Sequence, residues 1–320
     1  MELNFNELPH TGFYMYEGIA VKVLRRIDET QTIDCIVIDR NGQTERYESI
    51  MMAQLKTILM PEYSDAPIKH EQFDKIATCL KVGKSVYLYG AAGTGKNVIC
   101  QQLAEELGLT FYFASSVQDR FDLIGYSDAL GKYVSTEFYR AFTEGGLFML
   151  DEMDNSCEDA LITLNSALAN GYITFPIHGR KEAHPNFKVI AAGNTCGKGA
   201  NELYTGRRPL DAATLNRFVF IEVGYDRRIE MKIAKGNSEM VDFIHDLRQS
   251  SQKTGYQMVV SYRNLKDVMD LKPHFSMLDC MEMCILKGMG TDELGVIYNG
   301  LQNKRNQFAE YLSELYATRE

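Results

Sequence analysis

At 320 residues the chain exceeds the size at which one hydrophobic core usually divides, so two or three domains are expected, and an apolar fraction of 45% is ample to pack them. A formal charge of −9 argues against a broad electrostatic footprint for nucleic acid, although a local basic patch stays open. No run reaches the roughly 18 apolar residues of a membrane span, and the N-terminus has no basic region followed by an apolar one. Neither a membrane anchor nor a signal peptide is therefore expected, which leaves the cytoplasm as the default location.

Residues 1–60 read as a β-rich N-terminal domain: Ile19 to Leu24 and Ile33 to Ile38 alternate or run apolar, and Asn41-Gly42 is a hairpin turn signal. A small meander or barrel fits this pattern. Pro61 and Pro67 bracket a polar linker over 61–67. From 68 to 226 strand and helix alternate, predicting an α/β core with a five-stranded parallel sheet and helices on both faces; the strands fall at about 85–90, 111–115, 146–151, 187–193 and 218–223. Residues 227–320 follow a helical period, including Glu239 to Leu247 after a Ser238 cap and a charged helix from Asn303 to Arg319, and should form a helical lid.

The first core strand, Ser85 to Tyr89, runs directly into Gly90-Ala91-Ala92-Gly93-Thr94-Gly95-Lys96-Asn97 and then into the helical pattern Val98 to Leu107. This is the strand, glycine loop and helix of a phosphate cradle. Glycines let consecutive N–H groups turn inward, the helix adds its positive end, and Lys96 neutralises β- and γ-phosphate charge, so a nucleoside triphosphate, ATP with Mg²⁺, is the expected ligand. The position after the lysine usually carries a hydroxyl that ligates Mg²⁺; here it is Asn97, whose carbonyl oxygen is also a hard ligand. The continuous apolar run Gly146 to Leu150 then delivers Asp151 and Glu152 to a strand end, the first suited to hold Mg²⁺ and the second to polarise the attacking water. Acids at such a place also serve as helix caps, and Asp154 or Asn155 is expected to cap a helix beginning near Ser156.

The strand Phe187 to Gly193 ends in Asn194-Thr195, where an amide can orient water or merely start a turn. Arg217 precedes the last core strand and Arg263 opens a helical stretch; each reads either as a surface arginine or as a phosphate partner. Between the second and third strands, Asp122 to Tyr133 contains two glycines and aromatic residues and reads as a mobile loop or an ordinary surface loop. Seven cysteines without C-x-x-C spacing disfavour a disulfide framework and a zinc ribbon, and Cys280 and Cys284 share a helical face as small hydrophobes.

Together the phosphate loop, Asp151-Glu152, Leu164 to Gly171, Ala191 to Thr195 and above all Leu203-Tyr204-Thr205-Gly206-Arg207-Arg208-Pro209-Leu210 continuing to Arg217-Phe218 resemble an AAA+ ATPase of the dynein-related, MoxR-like branch. The nearest likeness within it is to the cobalt chelatase small-subunit type and its bacteriophage relatives, over roughly residues 68–270. The resemblance implies that Asn194 is sensor 1, Arg217 an arginine finger acting on the neighbouring subunit and Arg263 sensor 2. It also implies a homo-oligomer, usually a hexamer, with the 122–133 loop facing its pore. The family commonly has aspartate before the Arg-Phe pair where this chain has Asn216; Asn97 and Asn216 bear on hydrolysis rate more than on binding.

The reading that follows is a ring-forming ATPase that remodels a protein client or partner subunit. Glu152, Asn194, Arg217 and Arg263 would be catalytic, residues 90–97 and Asp151 would bind the nucleotide, and Asn97 with Asp151 would hold the metal. A slowly hydrolysing nucleotide-gated scaffold, a GTPase, a nucleic-acid motor and a metal chelatase motor subunit stand as alternatives.

Overall fold

The computed structural model describes residues 12–16, 19–27, 32–38, 44–51, 67–256, 258–301 and 306–319. Four N-terminal strands, β1 (Gly12–Tyr16), β2 (Ile19–Ile27), β3 (Thr32–Ile38) and β4 (Thr44–Met51), pair antiparallel in sequence order as a meander. The aromatic-rich β1 and the polar β4 lack the apolar runs by which β2 and β3 are predicted. The Asn41-Gly42 turn and most of the 61–67 linker lie outside the described residues.

The following segment alternates as expected: α1 (Phe73–Lys81), β5 (Ser85–Tyr89), α2 (Lys96–Glu106), β6 (Phe111–Ala114), α3 (Phe121–Ile124), the hairpin β7 (Tyr126–Ser127) and β8 (Tyr133–Val134), α4 (Glu137–Glu144) and β9 (Gly146–Leu150). It continues through α5 (Glu158–Asn170), the hairpin β10 (Tyr172–Phe175) and β11 (Gly179–Glu182), β12 (Phe187–Gly193), α6 (Ala212–Leu215) and β13 (Phe218–Glu222). Five strands form a parallel sheet in the order β13-β5-β12-β9-β6. The chain leaves β5 for the far edge at β6 and fills the gap later with β9 and β12. The carboxyl ends of β5, β9 and β12 therefore lie side by side, where open parallel sheets bind ligands.

Side-chain alternation explains why both faces are covered. Val86 and Leu88 of β5, with Leu147 and Met149 of β9, pack on α1 and α2, whereas Tyr87, Phe148 and Leu150 face α4 and α5. On that second face Phe138 and Phe142, one helical turn apart on α4, gather Phe175 and Phe187 into an aromatic cluster, with Phe148 packed edge-on to Phe138. Six helices follow: α7 (Arg227–Ile233), α8 (Ser238–Thr254), α9 (Tyr262–Leu271), α10 (Met277–Cys284), α11 (Thr291–Leu301) and α12 (Gln307–Arg319). They enclose a hydrophobic core of their own that includes Cys280 and Cys284. Among the described residues no helix is long and apolar enough to cross a membrane.

Three local expectations need correction. The segment after Glu152 is a 3-10 turn, Met153–Asn155, and α5 starts only at Glu158, because the Asp154 carboxylate is engaged elsewhere and caps nothing. The cap of α8 is Asn237, not Ser238, and the helix runs on to Thr254. The 122–133 stretch contains helix α3 and a hairpin whose turn is organised by Asp128 accepting from the amides of Leu130 and Lys132.

Candidate functional site

The loop 90–97 leaves β5 at the sheet's carboxyl edge. Gly95 is left-handed at φ 86 and caps α2 without any side-chain hydrogen bond, as Gln72 and Cys157 do at α1 and α5, whereas Thr136, Asp226, Asn237, Ser261 and Ser276 cap α4, α7, α8, α9 and α10 with theirs. The first-turn amides of α2 thus keep their positive field directed at whatever lies above the loop. Lys96 begins this helix and is buried; its Nζ donates to the Gly90 carbonyl at 2.8 Å, the Ala91 carbonyl at 3.0 Å and Asn194 Oδ1 at 3.4 Å. Burial pushes its ammonium down to about 8; Asp151 and Asp154 oppose the shift, and Arg207 and Arg263 add to it.

Asn97 Nδ2 donates to Asp151 Oδ2 at 3.1 Å, so the two expected metal ligands do lie together. The other carboxylate oxygen of Asp151 accepts the Glu152 amide at 2.9 Å. Glu152 has φ 51, an uncommon backbone state for a residue with a Cβ, which turns its side chain out of the strand direction. Its Oε1 accepts from Arg207 Nη2 at 3.1 Å, and Arg207 Nη1 reaches Asp154 Oδ1 at 3.4 Å. Arg207 therefore bridges one half-buried and one wholly buried carboxylate.

Asp154 organises the neighbouring strand end. Its Oδ2 accepts the amides of Asn194 (3.0 Å) and Thr195 (2.9 Å) and the Thr195 hydroxyl (2.9 Å), while the Tyr87 hydroxyl donates to the Thr195 carbonyl at 2.8 Å. These bonds place Asn194 over Lys96. Asp154 as an organiser and two tyrosines are the site residues that sequence reasoning missed, and Arg207, which stands in the stretch that carries the family resemblance, turns to two carboxylates of its own chain. The Tyr204 hydroxyl accepts the Ala92 amide at 2.8 Å, and the Tyr225 hydroxyl donates to the Ala92 carbonyl at 3.0 Å. Burial pushes the Tyr225 hydroxyl up to about 12, and the Arg248 guanidinium lies 3.5 Å from its ring centroid. Arg248 also pairs with buried Glu230 at 2.6 Å.

Of the remaining expected residues, Arg263 is exposed in the first turn of α9, whose start packs on the loop: the Tyr262 amide donates to the Gly93 carbonyl, and a Cβ on Gly93 would stand 2.6 Å from that of Ser261. Arg217 stands apart from this cluster. Its guanidinium donates to the carbonyls of Asn165 (3.2 Å) and Ala213 in its own chain.

The donor set fits a nucleoside triphosphate with a divalent cation: an uncapped helix start and a buried lysine held only by neutral oxygens suit phosphates, and the Asn97–Asp151 pair offers hard oxygen ligands. Among the described residues no group of three or more His, Cys, Asp or Glu is arranged to hold a metal.

Residues 85–218 match the family model for the AAA domain, dynein-related subfamily. An uncharacterized protein of Staphylococcus aureus (strain USA300) is 30% identical over 222 residues, which span 62% of this chain and 82% of that protein. An uncharacterized protein of Staphylococcus epidermidis is 28% identical with the same coverage. Among solved structures, a RuvB mutant of Thermotoga maritima aligns with 16% identity, 76% of this chain, 78% of that chain and a TM-score of 0.45.

Two predictions follow from this geometry. Asp154→Ala strands three donors and half of a buried ion pair, so urea unfolding should show a loss of roughly 3–5 kcal/mol, and a loss below about 1 kcal/mol would refute the organising role given to this carboxylate. The second concerns Lys96. Above a pH of about 8 the free protein has released this proton, whereas a phosphate ligand favours the ammonium. Binding of Mg-ADP at alkaline pH should then take up close to one proton and weaken as pH rises. Calorimetry in buffers of different ionisation enthalpy measures this directly, and a binding enthalpy independent of buffer contradicts it.

Proposed function

We propose that this chain, which belongs to the dynein-related AAA domain family, is a ring-forming ATPase that couples ATP hydrolysis to remodelling of a protein partner. The observation that carries this reading is the uncapped start of α2 with buried Lys96, set beside Asp151, Glu152 and Asn194 at one sheet edge. The loop amides and Lys96 bind the phosphates, and Asn97 and Asp151 hold Mg²⁺, which when bound offsets phosphate charge. A water oxygen attacks the γ-phosphorus, the bond from that phosphorus to the β,γ-bridging oxygen breaks, and Glu152 accepts the proton of the water. Asn194 orients this water from its position above Lys96. Arg217 serves as the arginine finger of the neighbouring subunit, which requires it to exchange its two carbonyl partners for phosphate oxygens, and Arg263 contributes charge from the lid. Slow basal turnover is favoured by one feature, the Arg207 guanidinium held on Glu152.

Glu152→Gln should retain nucleotide binding and lose about 10²-fold or more in phosphate release if Glu152 is the base; turnover near that of the unmodified chain rejects the role. Sharing of the site between subunits is tested by mixing. Arg217→Ala should bind ATP but hydrolyse it poorly, and Lys96→Ala should fail to bind, yet co-assembled mixtures should regain activity where an intact loop meets an intact arginine. Mixtures no more active than the separate variants, with co-assembly shown by native mass spectrometry, exclude the shared site.

A further inference from the structure

Asn165 is a polar residue on the buried side of α5, among Ala160, Leu161, Leu164 and Ala167. An amide in such a place is tolerated only when it is bonded. Its Nδ2 donates to the Thr214 hydroxyl at 2.6 Å, and Thr214 is buried as well. The Oδ1 oxygen meets no donor among the described residues, so the bond to Thr214 is the one polar tie of this side chain.

Thr214 belongs to α6, a single turn too short to hold itself together without outside support. The Asp211 carboxylate accepts the Ala213 amide at its start, and Asn165 fixes Thr214 near its end. Packing alone would press α6 on α5 without setting its register, because hydrophobic contact is non-directional, whereas a short hydrogen bond has one geometry. Arg217 follows three residues later, with its amide donating to the Thr214 carbonyl at 3.2 Å, and the next residue, Phe218, is buried as the first of β13. Arg217 therefore leaves the chain between two fixed points, one on the sheet and one on α5. The helix is itself pinned at its start, where the Cys157 amide donates to the Val117 carbonyl at 2.8 Å and the Ser156 hydroxyl accepts the Val117 amide at 3.1 Å.

We propose that Asn165 is the positioning residue of the arginine finger: through Thr214 it sets where Arg217 leaves its own subunit, so it serves hydrolysis in the neighbouring subunit and takes no part in its own nucleotide site. This rests on the reading of Arg217 as a finger acting between subunits. To reach a phosphate the guanidinium gives up two carbonyls, one of them that of Asn165, whereas the buried bond of the Asn165 side chain persists through the movement and keeps the base of the finger in place.

Two variants remove the bond from opposite sides, Asn165→Ala and Thr214→Val. Each should bind Mg-ADP as the unmodified chain does, measured by calorimetry, yet release phosphate from ATP about 10- to 10²-fold more slowly, the range expected for a group displaced by roughly 1 Å. The double variant should be no slower than the slower single one, since both act through one bond. Mixing shows in which subunit the loss is felt. Co-assembled with Lys96→Ala, each variant should exceed the activity of the two held apart, because its intact phosphate loop meets a neighbour with a correctly placed Arg217. Co-assembled with Arg217→Ala, neither should gain. Unchanged turnover, weakened Mg-ADP binding or a fully multiplicative loss in the double variant overturns the proposal. So does a loss that Lys96→Ala fails to relieve while it relieves Arg217→Ala, because the defect then lies in the variant's own site. If the unmodified chain does not hydrolyse ATP, or Lys96→Ala does not relieve Arg217→Ala, the shared site is at fault and the positioning role falls with it. Failure of both variants to fold assigns the pair to stability alone and also overturns the role.

Discussion

The carboxylate of Asp154, closed to water, sets the terms for the rest of the site. A charge in that position is tolerated only when it is met by donors and a counter-charge: its Oδ2 accepts two amides just past the end of β12 and the Thr195 hydroxyl, while its Oδ1 has no hydrogen bond and faces the Arg207 guanidinium at 3.4 Å. Satisfying one buried acid thus brings three separated stretches of chain to the same sheet edge. Asn194 is aimed at Lys96 because its amide is anchored from below. Arg207 is available to Glu152 because its other nitrogen is already committed.

Parallel sheet order explains why such an arrangement can form at all. Insertion of β12 and β9 between β5 and β6 sets three strand ends abreast, each delivering polar residues to a surface otherwise lined by apolar strands. The start of α9 presses on the phosphate loop from the opposite side, so close at Gly93 that a side chain there would strike Ser261. The cradle is therefore shaped by three hydrophobic clusters, one on each face of the sheet and one among the C-terminal helices.

What the sequence discloses and what it hides follow from the range of the interactions concerned. The phosphate loop was legible because glycine, lysine and helix start are neighbours whose chemistry is local, and the five core strands were legible because burial on both faces leaves continuous apolar runs such as Gly146 to Leu150. The C-terminal helices announced themselves by period, but Asn237 was passed over as the cap of α8 because Ser238 beside it is equally eligible. Asp154 looked like a helix cap, as an acid beyond a strand commonly does, and only its contacts with Asn194 and Thr195, forty residues distant, show otherwise. Tyr204 and Arg207 stood in the stretch that most strongly marked the family, yet nothing local could say that one would reach the loop and the other the acid. The partners of Arg217 were equally out of reach, being carbonyls of its own chain.

Tyr225 carries a mechanical consequence. Its hydroxyl holds the Ala92 peptide while its ring lies under the guanidinium of Arg248, midway along α8, and that guanidinium is itself pinned by Glu230 from α7. A tilt of the longest C-terminal helix is consequently delivered, through one rigid ring, to a single peptide of the phosphate loop. The contact runs from α8 to the loop through side chains alone and bypasses the strands of the sheet.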